Sequence, residues 1–151
     1  MKKLILLLIV TVSFTSTFSQ TAVCTNFHRK YCDAQETGGD WRYNAQSRSA
    51  LYAAGSTSKL RCVIYKGMDY RMSICTEPLL GNPTFKIYDS RTNELLFDSK
   101  KPATNVFEFQ STNTRQLVVE LELPKTATAK PSDAGCVGFL ILHKSTDRQG
   151  F

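Results

Sequence analysis

Histidine is scarce in this chain: His28 and His143 are the only two among 151 residues. A serine or cysteine nucleophile needs a positioned base, and neither histidine sits in a nucleophile-bearing motif such as Gly-x-Ser-x-Gly. A glycine-rich phosphate loop is missing as well, since Gly38-Gly39 precedes no strand-to-helix signal. Basic residues outnumber acidic ones by 19 to 13, but they are scattered: His28-Arg29-Lys30, Lys59 with Arg61, Lys100-Lys101, and Lys125 with Lys130. No run or helix face concentrates them as a nucleic-acid footprint would. An excess of this kind acts mainly on solubility and on weak attraction to anionic surfaces. Long apolar runs are lacking too. The longest, Leu4 to Val12, falls short of the roughly 20 residues that cross a bilayer. These absences argue against a triad hydrolase, a nucleotide-binding enzyme, a partner of DNA or RNA, and a protein with a membrane-spanning helix.

What is present begins with an export signature. Met1-Lys2-Lys3 is a short positive segment, Leu4 to Val12 an apolar core, and Thr17 and Ser19 hold the small-residue positions of a cleavage site before Gln20. Residues 1–19 are therefore expected to be a signal peptide, and the mature product periplasmic or secreted, with no membrane span. Loss of Lys2 and Lys3 lowers the formal charge of +6 by two. Cys24 is a poor lipid anchor, because Val23 stands where a lipobox needs a small residue.

Residues 20–48 are the least regular part. Thr25 is placed to cap a short helix reaching Cys32, and Gly38-Gly39-Asp40 then breaks the chain. From residue 49 to 151 the signals are strands separated by turns. Tyr70, Met72 and Ile74 alternate with Arg71 and Ser73. Phe85 and Ile87 alternate with Lys86 and Tyr88. In the clearest run, Leu117, Val119, Leu121 and Leu123 share one face opposite Glu120 and Glu122. Cys136 to His143 is apolar on both faces and should be central. About eight short strands at this spacing predict an all-β, antiparallel, jelly-roll-like β-sandwich in a single domain. Runs of five to eight residues are too short for an outer-membrane barrel, whose strands need about nine to eleven.

Five cysteines, Cys24, Cys32, Cys62, Cys75 and Cys136, would meet an oxidising compartment. Cys62 is in phase with Leu60 and Ile64, so it is expected to be a buried free thiol. The other four allow three connectivities. The expected pairing joins strand ends Cys75 and Cys136 and leaves Cys24 with Cys32 across a loop. A continuous helix would hold Cys24 and Cys32 about 12 Å apart by helical rise and send them to Cys75 and Cys136 separately.

Three further groupings could carry chemistry. Cys24, His28 and Cys32, four apart, would share a helix face and could ligate zinc or copper; oxidation of the cysteines competes with this, and no metal or other cofactor is expected. Asp69, Asp89 and Asp98 could supply paired carboxylates or a calcium site, although each stands at a turn or strand end where aspartate commonly bonds the local backbone. Trp41-Arg42-Tyr43 is an aromatic–basic cluster. It suits either a contact patch for protein or glycan, or a clamp that pins the irregular segment to the sandwich.

The stretch from Lys59 to Pro124 resembles the β-sandwich domains of pre-peptidase C-terminal type appended to secreted bacterial proteases. The matching stretches are Tyr65-Lys66-Gly67-Met68-Asp69-Tyr70-Arg71, Phe85-Lys86-Ile87-Tyr88-Asp89, Leu95-Leu96-Phe97-Asp98 and Leu117-Val118-Val119-Glu120-Leu121. The mature chain, with Gln46-Ser47-Arg48-Ser49 and the Gly150-Phe151 ending, is also similar to small secreted β-sandwich proteins of the Bacteroidota. Both resemblances imply an exported sandwich without catalytic residues. The expected function is a non-enzymatic binding or accessory protein of the cell envelope, contacting protein or glycan. A hydrolase with dispersed carboxylates and a Cys/His metal-binding protein are the alternatives.

Overall fold

The computed structural model describes residues 23–32, 40–101, 103–125 and 133–146. The expected signal peptide and most of the polar loop after Lys125 lie outside them. The elements run α1 (Phe27–Tyr31), β1 (Arg42–Tyr43), β2 (Arg48–Ala53), β3 (Thr57–Ile64), β4 (Met68–Thr76), β5 (Thr84–Asp89), β6 (Leu95–Asp98), β7 (Val106–Ser111), β8 (Arg115–Glu122) and β9 (Ala134–Ser145), with a 3-10 turn at Pro78–Leu80. The chain is an antiparallel β-sandwich. In the five-stranded sheet β9 is central: β4 and then β7 follow on one side, and β1 and β2 share the other side end to end. The four-stranded sheet has the order β3-β8-β5-β6.

Period-two patterning sets the faces. Tyr70, Met72 and Ile74 of β4 and Phe139 and Ile141 of β9 point inward. They meet Cys62 and Ile64 of β3, Phe85 and Ile87 of β5, and Leu117, Val119 and Leu121 of β8. Each of these residues fills the interior that its alternation assigns it. A string of rings runs through this core, from Phe85 to Phe97 (centroids 5.3 Å), Phe107 (4.1 Å) and Phe109 (4.9 Å), then Tyr70 (5.7 Å). At the crossing from β3 into β4, Gly67 takes φ 80°, which an L side chain resists, and its N–H donates to the Ser111 carbonyl at 2.8 Å.

Two details depart from the sequence reading. Strand pairing begins at Arg42, inside the segment taken as irregular, because two residues of β1 pair with Leu142 and His143 of β9. The helix starts one residue later than the Thr25 cap implies: Asn26 holds the cap position at φ 59°, a conformation that asparagine tolerates well, and it makes no side-chain cap bond.

Candidate functional site

The outer face of the five-stranded sheet is partly roofed. Leu140 and Leu142 of β9 point outward yet are buried, and α1 lies against the same face of β9 over Cys136 and Gly138, with Phe27 and His28 buried. A helix of five residues has no stability of its own in water. Two disulfides clamp it, Cys24–Cys136 before its first turn and Cys32–Cys75 after its last. Gly138 lets the helix come this close: a Cβ there would lie 2.6 Å from Cys32 Sγ and 2.7 Å from His28 Cα.

The pairing that joined Cys75 to Cys136 and Cys24 to Cys32 is not formed. Cys75 stands opposite Gly138, so Cys136 is its diagonal neighbour on the same face, not its direct partner. Diagonal neighbours lie about 7–8 Å apart, beyond the roughly 5.5–6 Å Cα separation typical of a disulfide. The helix between Cys24 and Cys32 keeps those two apart as well. Cys62 is free and buried, and burial pushes its thiol up to about 11 against the opposing pull of Arg48.

The metal face of Cys24, His28 and Cys32 is not assembled either. Both thiols are consumed in disulfides, and the His28 ring is fully engaged. Among the described residues no three His, Cys, Asp or Glu side chains gather in a way that could hold a metal ion. His28 is buried, not on the surface. Ser49 Oγ accepts the His28 backbone N–H at 2.8 Å and lies 2.6 Å from His28 Nδ1. His28 Nε2 lies 3.1 Å from Tyr43 Oη, so both ring nitrogens have a hydrogen-bond partner. Burial, helped by the Arg29 charge, pulls the His28 pKa below its usual value. Ser49 and His28 touch as a nucleophile and base would, but each is spent on seating the helix.

Tyr43 thus serves as part of the clamp, stacked on His28 with the Arg29 guanidinium 3.9 Å above its ring. Trp41, two residues earlier, points to the same outer side. Its ring takes the Arg71 guanidinium at 5.1 Å and the Lys144 ammonium at 4.9 Å. Arg42 alternates to the opposite side of β1 and leaves this cluster. The cations that meet Trp41 and Tyr43 are Arg29, Arg71 and Lys144. Sequence alternation puts Arg71 on the outward face, but its contact with Trp41 joins strands thirty residues apart.

Beside this cluster lies a cleft of about 770 Å³. Arg71, Ser73 and Cys75 line it from β4, Tyr31 and Cys32 from the helix end, and two loops close it, one with Asn82 and Thr84 and one with Lys100 and Asn105. Arg71 is held in place by ion-pairing Glu108 through Nε and Nη2. Neither loop carried a motif that marked it in the sequence.

The three aspartates are kept apart. Asp89 ends β5, where its carboxylate accepts the N–H groups of Arg91 and Thr92 and pairs with Arg115 at 3.4 Å. Asp98 faces Lys86, three strand positions or about 10 Å from Asp89, and accepts the Lys100 N–H. Asp69 is in the other sheet, bonded to Thr146. No helix among the described residues is long and apolar enough to cross a membrane.

Fold and face together define an antiparallel β-sandwich with a helix-roofed, aromatic–cationic outer surface. Neither a family model nor a curated protein matches the chain. Among solved structures it is similar to PliG of Aeromonas hydrophila, a periplasmic lysozyme inhibitor of g-type lysozyme, with a TM-score of 0.48 and 9% identity over 71% of this chain and 89% of that one. Nothing of that protein's binding is carried over to this chain.

Proposed function

We propose that this chain is an exported, non-enzymatic binding or accessory protein of the bacterial cell envelope, and that it contacts its protein or glycan partner through the outer face of the five-stranded sheet. The observation that carries this reading is the ring of Trp41, half-buried between Lys144 and Arg71, the second of which also lines the cleft. Tryptophan, tyrosine and arginine are the side chains in which binding energy concentrates. Here Tyr43 and Arg71 stand on strands, and Trp41 immediately precedes β1. Two disulfides suit an oxidising compartment and support export to the periplasm or the exterior. The engagement of Ser49 with His28 and the separation of Asp69, Asp89 and Asp98 favour binding over hydrolysis.

Immobilised mature chain exposed to fractionated envelope material tests this. A fraction should be retained by the native chain and lost from Trp41→Ala, with the melting temperature of the variant nearly unchanged. Equal retention by both proteins would move the site elsewhere. Steady release of cleaved fragments from the retained fraction would make the protein a hydrolase.

A further inference from the structure

We propose that the cleft between α1, β4 and the two loops is a subsite for an acidic oligosaccharide. This rests on the binding reading above and narrows it to one partner chemistry. Size comes first: about 770 Å³ lies within the range of small-ligand clefts and is large enough for a few sugar rings.

Charge comes second. Arg71 and Lys100 line the cleft, and among the described residues no carboxylate does. Glu108 engages Arg71 through Nε and Nη2 and leaves Nη1 uncommitted, so the guanidinium is oriented and still has donors for an anion. The pair of Lys100 with Glu122 is exposed at both ends and is readily exchanged for a ligand anion.

The neutral groups come third. The side-chain amides of Asn82 and Asn105 and the hydroxyl of Thr84 line the same cleft and make no hydrogen bond to described residues. Amides and hydroxyls that can both donate and accept match the hydroxyl groups of a sugar. Tyr31 also lines the cleft and is 50% exposed, with its ring against Phe27 (centroids 4.6 Å) and the Lys30 ammonium 5.1 Å from it, which adds a third cation beside the cleft. A protein partner would instead call for exposed apolar anchors inside the cleft, whereas Leu140 and Leu142 at its floor are almost wholly buried.

The test is a panel of trisaccharides that carry uronate, lactyl or sialyl carboxylates, a sulfated counterpart, and the carboxyl-reduced neutral forms. Each is titrated calorimetrically into the oxidised mature chain. Acidic members should bind and their neutral forms should not, with the sulfated arm showing which anion is preferred. Arg71→Gln and Asn105→Ala should each weaken binding about tenfold, the size of one charge-assisted or well-made hydrogen bond. Asn105 is exposed, so its variant stays informative if Arg71→Gln disturbs the sheet. Two outcomes overturn the inference: no preference for acidic over neutral sugars, or a preference that both variants retain. If the sugars fail while solubilised envelope protein is still retained through Trp41, this inference falls and the broader binding reading stands. If both fail, both fall.

Discussion

Gln46 pairs with the main chain of Val63 as if it were a strand: its Nε2 donates to the Val63 carbonyl at 2.9 Å, and its Oε1 accepts the Val63 N–H at 2.7 Å. Val63 is on β3, the edge of the four-stranded sheet. Gln46 therefore satisfies an edge that would otherwise offer itself to another chain. It does so from the connection between β1 and β2, and so ties the two sheets together across the open side of the sandwich. Gln46→Ala should lower stability by about 1–3 kcal/mol in urea unfolding, the cost of two unmet backbone groups, and should raise the tendency to self-associate. An unchanged midpoint would mean that water replaces the amide at no cost.

Gly138→Ala should be much more damaging than Gly67→Ala. At Gly138 the new methyl would meet the Cys32 sulfur and the His28 backbone, so the helix must lift or the Cys32–Cys75 bond must fail to close. At Gly67 nothing lies within 4 Å, and the cost is only that of φ 80°, about 1 kcal/mol. Thiol counts and melting curves of the two variants, compared side by side, read this directly. Equal losses would show that the helix does not depend on the close approach.

Acid should weaken the helix seat before it unfolds the sandwich. The folded protein holds His28 neutral, with a pKa below its ordinary 6.5. The unfolded chain therefore binds the proton first as pH falls. The stability that His28 contributes is complete above about pH 7 and declines through and below pH 6.5. Stability measured between pH 7.5 and 5, above the range where carboxylates titrate, should fall with pH in the native chain and fall less in His28→Gln. A slope that survives the substitution would point to another group.

The cysteines should react in a fixed order. Cys32–Cys75 lines the cleft, whereas Cys24 and Cys136 are 1% and 4% exposed. Mild reductant followed by alkylation and peptide mapping should label Cys32 and Cys75 first, then Cys24 and Cys136. Cys62 should appear only on unfolding, because it is buried and its thiol is held protonated. The loops closed by the two bonds span 43 and 112 residues. Each should contribute on the order of 4–5 kcal/mol in the chain-entropy model, so single removal should lower the melting temperature by on the order of 10–20 °C. Native-state labelling of Cys62 would contradict this order.

Much of the sandwich can be read from local patterns, because a strand's two faces alternate within a few residues. Leu117, Val119 and Leu121 declare one face of β8, and the doubly apolar run from Cys136 to His143 declares a covered central strand. β1 cannot be read this way: two residues carry no period, and their pairing is set by Leu142 and His143, about a hundred positions on. The disulfide partners are hidden for a similar reason. Cys75 and Cys136 share a face, and only the register, with Cys75 opposite Gly138, shows that they are diagonal. The cleft was least legible of all. Arg71, Asn82, Lys100 and Asn105 come from three separate stretches that meet only once both sheets have formed.

Trp41 is the only tryptophan in the chain, so its emission reports on the proposed face without any label. The most direct test adds the retained envelope fraction, or an acidic oligosaccharide that binds, to the oxidised mature chain and follows that emission. A saturable shift in intensity or wavelength, absent when Arg71→Gln no longer binds, is the predicted result. Binding that reaches saturation by calorimetry while Trp41 emission stays constant, with Trp41→Ala binding as tightly as the native chain, would contradict the account.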